Sequence, residues 1–370
     1  MAEIKTVEDK KSASVYDQIE HMGHEQLVYC YDEATGLKSL IGIHNTTLGP
    51  ACGGTRMWPY ASEAEAVTDV LRLSRGMTLK AAISGLNIGG GKAVIIGNPA
   101  AKNEAMMRRF GRFVDSLGGR YITAEDVNMK TRDMEYISME TKHVTGLPEV
   151  MGGGGDPSPV TAYGTYMGMK ALAQKVYGND SLEGRKVTVQ GVGQVGMYLV
   201  DYLTKENAKV FIADISEEKL KQVANKTGAT VVANDDVYTM DMDIYAPCAL
   251  GATLNDNTIP NLKCAIVAGA ANNQLHEEQK HGRMLKEQGI VYAPDFLINA
   301  GGLMNVYTEY LGDYNRDKVY KQAENIYNTC LEIVNKADAE GITSHEAAMS
   351  LALQRIEQIG KVKRSFKPGQ

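Results

Sequence analysis

The sequence is poor in the residues that mark several classes of protein. Among its 370 residues there are only five cysteines, and these are odd in number and form no CxxC pair. They therefore suggest neither a disulfide framework nor a zinc site. The seven histidines form no HxxxH or HExxH pattern. We expect no bound metal, and a reducing cytoplasm as the location.

An excess of positive charge and long apolar runs are also missing. Lysine and arginine total 39 against 45 acidic residues, which gives a net charge of −6. This balance argues against a broad surface for polyanions, so nucleic acid is not expected as a partner. No apolar run approaches the roughly 18–20 residues of a membrane span. The charged start, "MAEIKTVEDK", has no apolar signal core, and we expect no membrane association.

The sequence does have the composition of a globular protein with two domains. It is 44% hydrophobic and 23% charged, as in ordinary globular chains. Two domains are expected at this length, because single cores seldom grow past about 250–300 residues. The composition changes at four consecutive glycines, 152–155, which we place near a domain boundary. Beyond Gly184, strands and helices alternate, which is typical of a parallel sheet covered by helices.

A glycine motif in this second region predicts a dinucleotide site. "VTVQGVGQVGMYL" places GxGxxG between a β-branched strand and an amphipathic helix, and Asp214 ends the next strand. The glycines allow a tight turn, a close approach to a pyrophosphate and close helix packing, while the carboxylate accepts ribose hydroxyls. Its charge disfavours NADP, so we predict NAD; a glycine-rich turn that binds nothing is the alternative. The predicted cofactor residues are Gly191, Val192, Gly193, Gln194, Val195, Gly196 and Asp214.

The stretch "NIGGGKAVIIG" places Lys92 after three glycines and before an apolar strand. A Walker A loop is excluded, since Leu86 occupies the position of its first glycine and Ala93 replaces its hydroxyl residue. Lys80 lies twelve residues earlier, and two ammonium groups in a partly desolvated pocket disfavour double charging. One could then act as a base while the other attracts a carboxylate, with Asp126 relaying protons. The alternative is that these are surface residues, above all Lys80 on its predicted helix.

Several long segments carry a resemblance to a known family. They include "LGPACGGTRMW", "SGLNIGGGKAVIIGNP", "GRYITAEDV", "VQGVGQVG" and "YAPDFLINAGGLMNV". From about residue 20 to 360 the sequence resembles the glutamate/leucine/phenylalanine/valine dehydrogenases, and the leucine dehydrogenases in particular. The resemblance implies an α/β fold and a homo-oligomer. It divides the chain into a substrate-binding domain (1–147), a Rossmann-type NAD-binding domain (148–335) and C-terminal helices that return to the first domain (336–370).

The resemblance also assigns roles to individual residues. Lys92 matches the catalytic lysine, Asp126 the aspartate that transfers protons, and Lys80 the lysine that binds the substrate carboxylate. Gly53 and Gly54 match a glycine pair that lines the substrate site. Two further matches lie near the nicotinamide: Asn272, which also borders the substrate, and Thr161.

The same resemblance places four apolar residues around the substrate side chain: Cys52, Ala124, Leu303 and Val306. A glutamate side chain would find no polar partner among them. The expected activity is therefore the reversible, NAD-dependent oxidative deamination of leucine, valine or isoleucine. Cys52 is smaller than the leucine usual in leucine dehydrogenases, so a phenylalanine or tryptophan dehydrogenase is the alternative. A protein that senses NAD(H) without catalysis is a third hypothesis, which the two lysines and Asp126 disfavour.

Overall fold

The computed structural model describes residues 14–312 and 314–362, which form two compact units. The first unit covers the described chain up to Gly155, Glu309–Tyr314 and the helix from Arg355 onward. The second unit covers Asp156–Thr308 and Asn315–Gln354. The sequence-based boundaries at 147 and 335 differ from this division. Glu309 explains part of the difference, because its carboxylate accepts hydrogen bonds from the amides of Leu147 (3.1 Å) and Gly154 (2.9 Å).

The first unit contains a mixed sheet of strand order β1-β2-β4-β3-β5. Strand β2 pairs antiparallel with both β1 and β4, whereas β3 pairs parallel with both β4 and β5. The strands are β1 Gln26–Asp32, β2 Leu37–Asn45, β3 Ala51–Trp58, β4 Gly89–Ile96 and β5 Tyr121–Glu125. The helices before, between and after them are α1 Val15–Met22, α2 Glu63–Ile83, α3 Glu104–Asp115 and α4 Thr131–Ser138.

Helices cover both faces of this sheet. Val67, Val70 and Leu71 of α2 pack on one face, and Met107 and Phe110 of α3 pack on the other. Strand β4 lies in the middle and is buried along almost its whole length. Burial on both faces explains why its sequence runs as continuous apolar residues after Lys92 instead of alternating with polar ones.

The second unit contains a parallel sheet of strand order β11-β10-β9-β6-β7-β8. The chain moves outward from β6 in one direction and then returns to start again at β9, which is the doubly wound order. Its strands are β6 Lys186–Gln190, β7 Lys209–Ala213, β8 Thr230–Val231, β9 Ile244–Pro247, β10 Ile266–Val267 and β11 Val291–Tyr292. The predicted α/β architecture, with a Rossmann-type sheet in the second region, is confirmed.

Helices alternate with these strands and then continue to the C-terminal side. They are α5 Ser158–Tyr177, α6 Gln194–Lys205, α7 Glu217–Thr227, α8 Glu278–Glu287, α9 Asp295–Ile298, α10 Gly301–Tyr310, α11 Arg316–Glu324, α12 Ile326–Glu340 and α13 Ser344–Val362. Over residues 14–312 and 314–362, no helix combines the length and apolarity needed to cross a bilayer.

The glycines before Lys92 are explained by close packing on three sides. A Cβ at Gly89 would lie 2.0 Å from the carbonyl oxygen of Asn45, and one at Gly91 would lie 2.8 Å from the ring of Tyr121. At Gly90 a Cβ would lie 2.1 Å from the amide nitrogen of Thr78 in α2. Strand β4 therefore touches β2, α2 and β5 through its bare backbone, and any side chain would force them apart.

Replacing Gly90 with alanine is expected to destabilise the protein by more than about 3 kcal/mol, because the rigid backbone of α2 cannot yield to the new methyl group. Gly76 provides the matched control, since it lies in α2 with nothing near its missing Cβ. Gly76→Ala should be neutral or stabilise by up to about 1 kcal/mol through helix propensity. Urea unfolding of both variants measures this difference, and equal stabilities would contradict the packing argument.

Candidate active site

Lys92 lies within β4, and its side chain is only 8% exposed. Its ammonium group makes a direct ion pair with the carboxylate of Asp126, one residue beyond the end of β5. Strand β3 runs between β4 and β5 in the sheet, so the two side chains meet across a strand that begins with small residues. The sequence predicted that Lys92 and Asp126 act together, and the structure brings them into contact.

The small residues of β3 make this meeting possible. A Cβ at Gly53 would lie 1.7 Å from the carbonyl oxygen of Gly91, and one at Gly54 would lie 2.7 Å from Cβ of Asp126. Tyr121 donates a hydrogen bond of 2.6 Å from its hydroxyl to the carbonyl of Gly53 and fixes the strand further. The predicted glycine pair therefore lies beside both charged residues.

Asp126 has a second cationic neighbour, which the sequence reasoning missed. Arg56 of β3 places Nε 3.5 Å from Oδ2 of Asp126. Burial alone would raise the pKa of the Asp126 carboxyl, but the charges of Lys92 and Arg56 outweigh it and lower that pKa below its usual range. A signal was available, because Arg56 follows Gly54 by two positions, and alternate residues of a strand share a face.

The remaining predicted residues of the first unit lie on neighbouring elements. Lys80 is half-buried in the last turn of α2, two residues after the Thr78 that packs on Gly90. Ala124 of β5 is buried and pairs with Gly54. Cys52 of β3 is buried as well, and burial raises the pKa of its thiol to about 12. At neutral pH this side chain is therefore an uncharged, apolar group.

In the second unit the glycine motif forms the predicted strand–turn–helix. Gly191 follows β6 with a φ of 101°, and a Cβ there would lie 2.7 Å from Ala249. Gly193 caps α6 and has nothing within 4 Å of its missing Cβ, so the first amides of the helix are open to a ligand. A Cβ at Gly196 would lie 2.0 Å from the carbonyl oxygen of Gly191. Two glycines therefore serve packing, and the third leaves room for a phosphate group.

Asp214 closes the same loop from the end of β7. Its Oδ2 accepts a hydrogen bond from the amide of Val192 (2.8 Å), and its Oδ1 accepts one from the amide of Ser216 (2.9 Å). Each carboxylate oxygen has a second lone pair for a ribose hydroxyl. The loop Gly191–Gly196 and Asp214 thus have the arrangement that a dinucleotide requires at the point where the strand order reverses.

The other predicted residues of the second unit lie on its loops and helices. Thr161 is in the first turn of α5, and its hydroxyl donates to the carbonyl of Pro157 (3.0 Å). Asn272 is exposed, and its side-chain oxygen accepts a hydrogen bond of 2.8 Å from Asn299. Leu303 is buried in α10, and Val306 of the same helix is half-buried.

Among the described residues, one group of side chains could offer donors to a metal ion. Donor atoms of His276, Glu277 and His281 lie within 4.8 Å of one another. However, Nδ1 of His281 accepts the amide hydrogen of Glu277 at 2.8 Å, which leaves Nε2 as the protonated nitrogen, 3.5 Å from Asp256. The histidine therefore lacks a free lone pair for a metal in this arrangement.

Family comparisons match both regions of the sequence. The profile "Glu/Leu/Phe/Val dehydrogenase, dimerisation domain" matches residues 24–143. The profile "Glutamate/Leucine/Phenylalanine/Valine dehydrogenase" matches residues 152–216 and 212–363. The chain belongs to the glutamate/leucine/phenylalanine/valine dehydrogenase family. It is an amino-acid dehydrogenase, and the resemblance noted in the sequence is confirmed.

Individual members of the family match over almost the whole chain. A leucine dehydrogenase of Thermoactinomyces intermedius is 54% identical over 353 residues, which is 95% of this chain and 96% of that protein. The leucine dehydrogenase of Bacillus subtilis (strain 168) is 51% identical over the same shares. Among solved structures, L-tryptophan dehydrogenase from Nostoc punctiforme superposes with a TM-score of 0.84 at 46% identity, covering 95% of this chain and 100% of that one.

The arrangement of Asp214 generates a test of cofactor choice. In Asp214→Ala, NADH should bind at least about tenfold more weakly because the ribose hydroxyls lose their acceptor. The affinity for NADPH should rise relative to that for NADH, because the negative charge that repels the 2′-phosphate is gone. Fluorescence titration with each nucleotide measures both changes. Asp236→Ala is the matched control, since Asp236 is an exposed aspartate of the same unit. An unchanged NADH to NADPH ratio in Asp214→Ala would contradict the assignment.

Proposed function

We propose that this dehydrogenase catalyses the reversible, NAD-dependent oxidative deamination of a branched-chain L-amino acid, leucine first and also valine and isoleucine. The products are the 2-oxo acid, ammonia and NADH. The observation that carries the proposal is the buried ion pair of Lys92 and Asp126, lined by Gly53 and Gly54. A buried amine beside a carboxylate provides the two proton-transfer groups that the deamination of an amino acid requires.

The loop Gly191–Gly196 fits the cofactor that this reaction needs. The free amides at the start of α6 suit a pyrophosphate, and Asp214 suits an unphosphorylated ribose. Thr161 and Asn272 are proposed to border the nicotinamide. When bound, NAD supplies the acceptor for the hydride that leaves Cα of the amino acid.

Three side chains of the first unit then have distinct roles. Lys80 binds the α-carboxylate of the substrate and so orients the Cα–H bond, because a small misplacement in hydride transfer costs about a hundredfold in rate. Lys92, in its neutral form, activates a water molecule for attack on the substrate iminium carbon. Asp126 accepts and returns protons at the substrate nitrogen as ammonia leaves.

The side-chain preference follows from the apolar residues Cys52, Ala124, Leu303 and Val306, which would surround the substrate. Cys52 and Ala124 are buried and uncharged, so a glutamate carboxylate beside them would be desolvated without compensation. An aromatic amino acid is the second candidate. It is favoured by the small side chain of Cys52 and by the similarity to a tryptophan dehydrogenase.

The assembly and the location are also proposed. A homo-oligomer is supported by the description of the first matching profile as a dimerisation domain. A cytoplasmic location is supported by the five cysteines, all of which carry free thiols in the structure.

A panel of L-amino acids with NAD tests the function directly, with NADH formation as the readout. We expect kcat/KM to be highest for leucine and negligible for glutamate. The value for valine should lie within about 200-fold of that for leucine, since one methylene contributes only about 1–3 kcal/mol. D-leucine is the control for stereospecific binding. Preference for phenylalanine or tryptophan would support the second candidate, and no turnover of any amino acid would refute the proposed function.

A further inference from the structure

Arg56 is a charged residue beside the Lys92–Asp126 pair that the proposed mechanism does not use. Its Nε lies 3.5 Å from Oδ2 of Asp126, an ion-pair distance that is longer than an ordinary hydrogen bond. The Arg56 side chain is 24% exposed and that of Asp126 is 20% exposed, so water screens the pair only in part. The guanidinium thus acts on Asp126 mainly through its charge.

The position of Arg56 is fixed from its other end. Its Nη1 lies 3.1 Å from Oδ2 of Asp69 in α2, and the hydroxyl of Tyr60 donates a hydrogen bond of 2.6 Å to the same oxygen. Arg72 approaches the other oxygen of Asp69 at 3.7 Å from the exposed side of the helix. Asp69 therefore anchors Arg56, and the arginine is oriented before any substrate binds.

Charged and titratable groups face Asp126 from each element packed against it. The cations are Lys92 from β4 and Arg56 from β3; Glu125 and Tyr121 lie on β5 itself, and Asp69 of α2 and Tyr60 act through Arg56. Burial raises the pKa of Tyr121, so this residue stays neutral at working pH. Of the two cations in contact, only the guanidinium keeps its charge at every pH the enzyme meets.

This difference matters because the proposed mechanism, on which the present inference rests, requires neutral Lys92. When the amine is neutral, Asp126 loses the opposite charge that favours its ionised form. The desolvation of Asp126 would then favour its protonated form, which cannot accept a proton from the substrate nitrogen. A permanent positive charge beside the carboxylate prevents this loss.

We propose that Arg56 is a positioning residue whose fixed charge keeps Asp126 ionised while Lys92 is neutral. Its effect on the reaction passes through Asp126, whose Oδ2 it approaches. The ion pair with Asp69 holds the guanidinium near the carboxylate of Asp126 without a close hydrogen bond between them. The side chain of Asp126 can therefore still turn toward the substrate nitrogen.

The test compares Arg56→Gln and Arg56→Met, which remove the charge, with Arg56→Lys, which restores it. Arg72→Gln is the matched control, because it removes an arginine that contacts Asp69 and leaves in place the cations that contact Asp126. The pH dependence of kcat/KM for leucine is measured for all four variants. Arg56→Met keeps an unbranched apolar side chain that can pack like the methylene groups of arginine. It serves as a second charge-free variant in case Arg56→Gln does not fold.

Loss of the charge should shift the ascending limb of the pH profile to higher pH. On that limb kcat/KM should fall at least about tenfold, while the plateau at high pH changes little. Arg56→Lys should return the limb toward the wild-type position, and Arg72→Gln should leave it unchanged. An unshifted limb in both charge-free variants, or a rise in KM alone at every pH, would overturn the proposal and make Arg56 a structural or substrate-binding residue.

A measurement without turnover separates this inference from the proposed function. Carbon-13 NMR of protein labelled at aspartate carboxyls follows the ionisation of Asp126, with Asp126→Asn identifying its signal. The pKa of Asp126 should rise in Arg56→Met and stay unchanged in Arg72→Gln. If wild-type protein oxidises no amino acid, the proposed function fails, and the NMR result alone decides the role of Arg56: an unchanged titration overturns it.

Discussion

The burial of one lysine amine against one carboxylate is the constraint on which the first unit depends. Lys92 and Asp126 meet across β3, where a Cβ at Gly54 would collide with Cβ of Asp126 and one at Gly53 would collide with the backbone of Gly91. The three glycines before Lys92 serve a different purpose, since they let β2, α2 and β5 close tightly around β4. Close packing removes water from the pair, and removal of water strengthens the influence of each neighbouring charge. The glycines of β3 and β4 therefore allow the close packing in which the charged pair is held.

The second unit uses a separate set of glycines to form the loop Gly191–Gly196, which suits a dinucleotide. Gly191 and Gly196 permit the contact between strand and helix, whereas Gly193 leaves amides open, and Asp214 ties the loop through the amide of Val192. The family match covers both units, so substrate chemistry and cofactor binding belong to one enzyme. The first unit carries the Lys92–Asp126 pair that we propose transfers protons, and the second carries the arrangement suited to a dinucleotide.

Local patterns predicted the parts of this protein that depend on local spacing. GxGxxG followed by Asp214 specifies one turn and its neighbouring strand, and the structure shows both. The reason for three glycines before Lys92 could not be predicted, because Asn45, Thr78 and Tyr121 come together only in the folded sheet. Arg56 was missed although it follows Gly54 by two positions on the same strand face, and its contact with Asp126 forms only when β3 and β5 pair in the sheet. Glu309 groups with the first unit because it binds amides more than 150 residues earlier, a contact that no local pattern reveals.

The most direct test of the central claim restores an amine at position 92 chemically. Lys92→Cys should bind NADH but oxidise leucine at a negligible rate, and alkylation with 2-bromoethylamine then rebuilds a lysine-like side chain with sulfur in place of one methylene. Wild-type protein treated in parallel controls for modification of the five native cysteines, and mass spectrometry confirms the alkylation at position 92. A catalytic amine predicts that turnover returns with alkylation. Full modification without any recovery, in protein that still binds NADH, would contradict it.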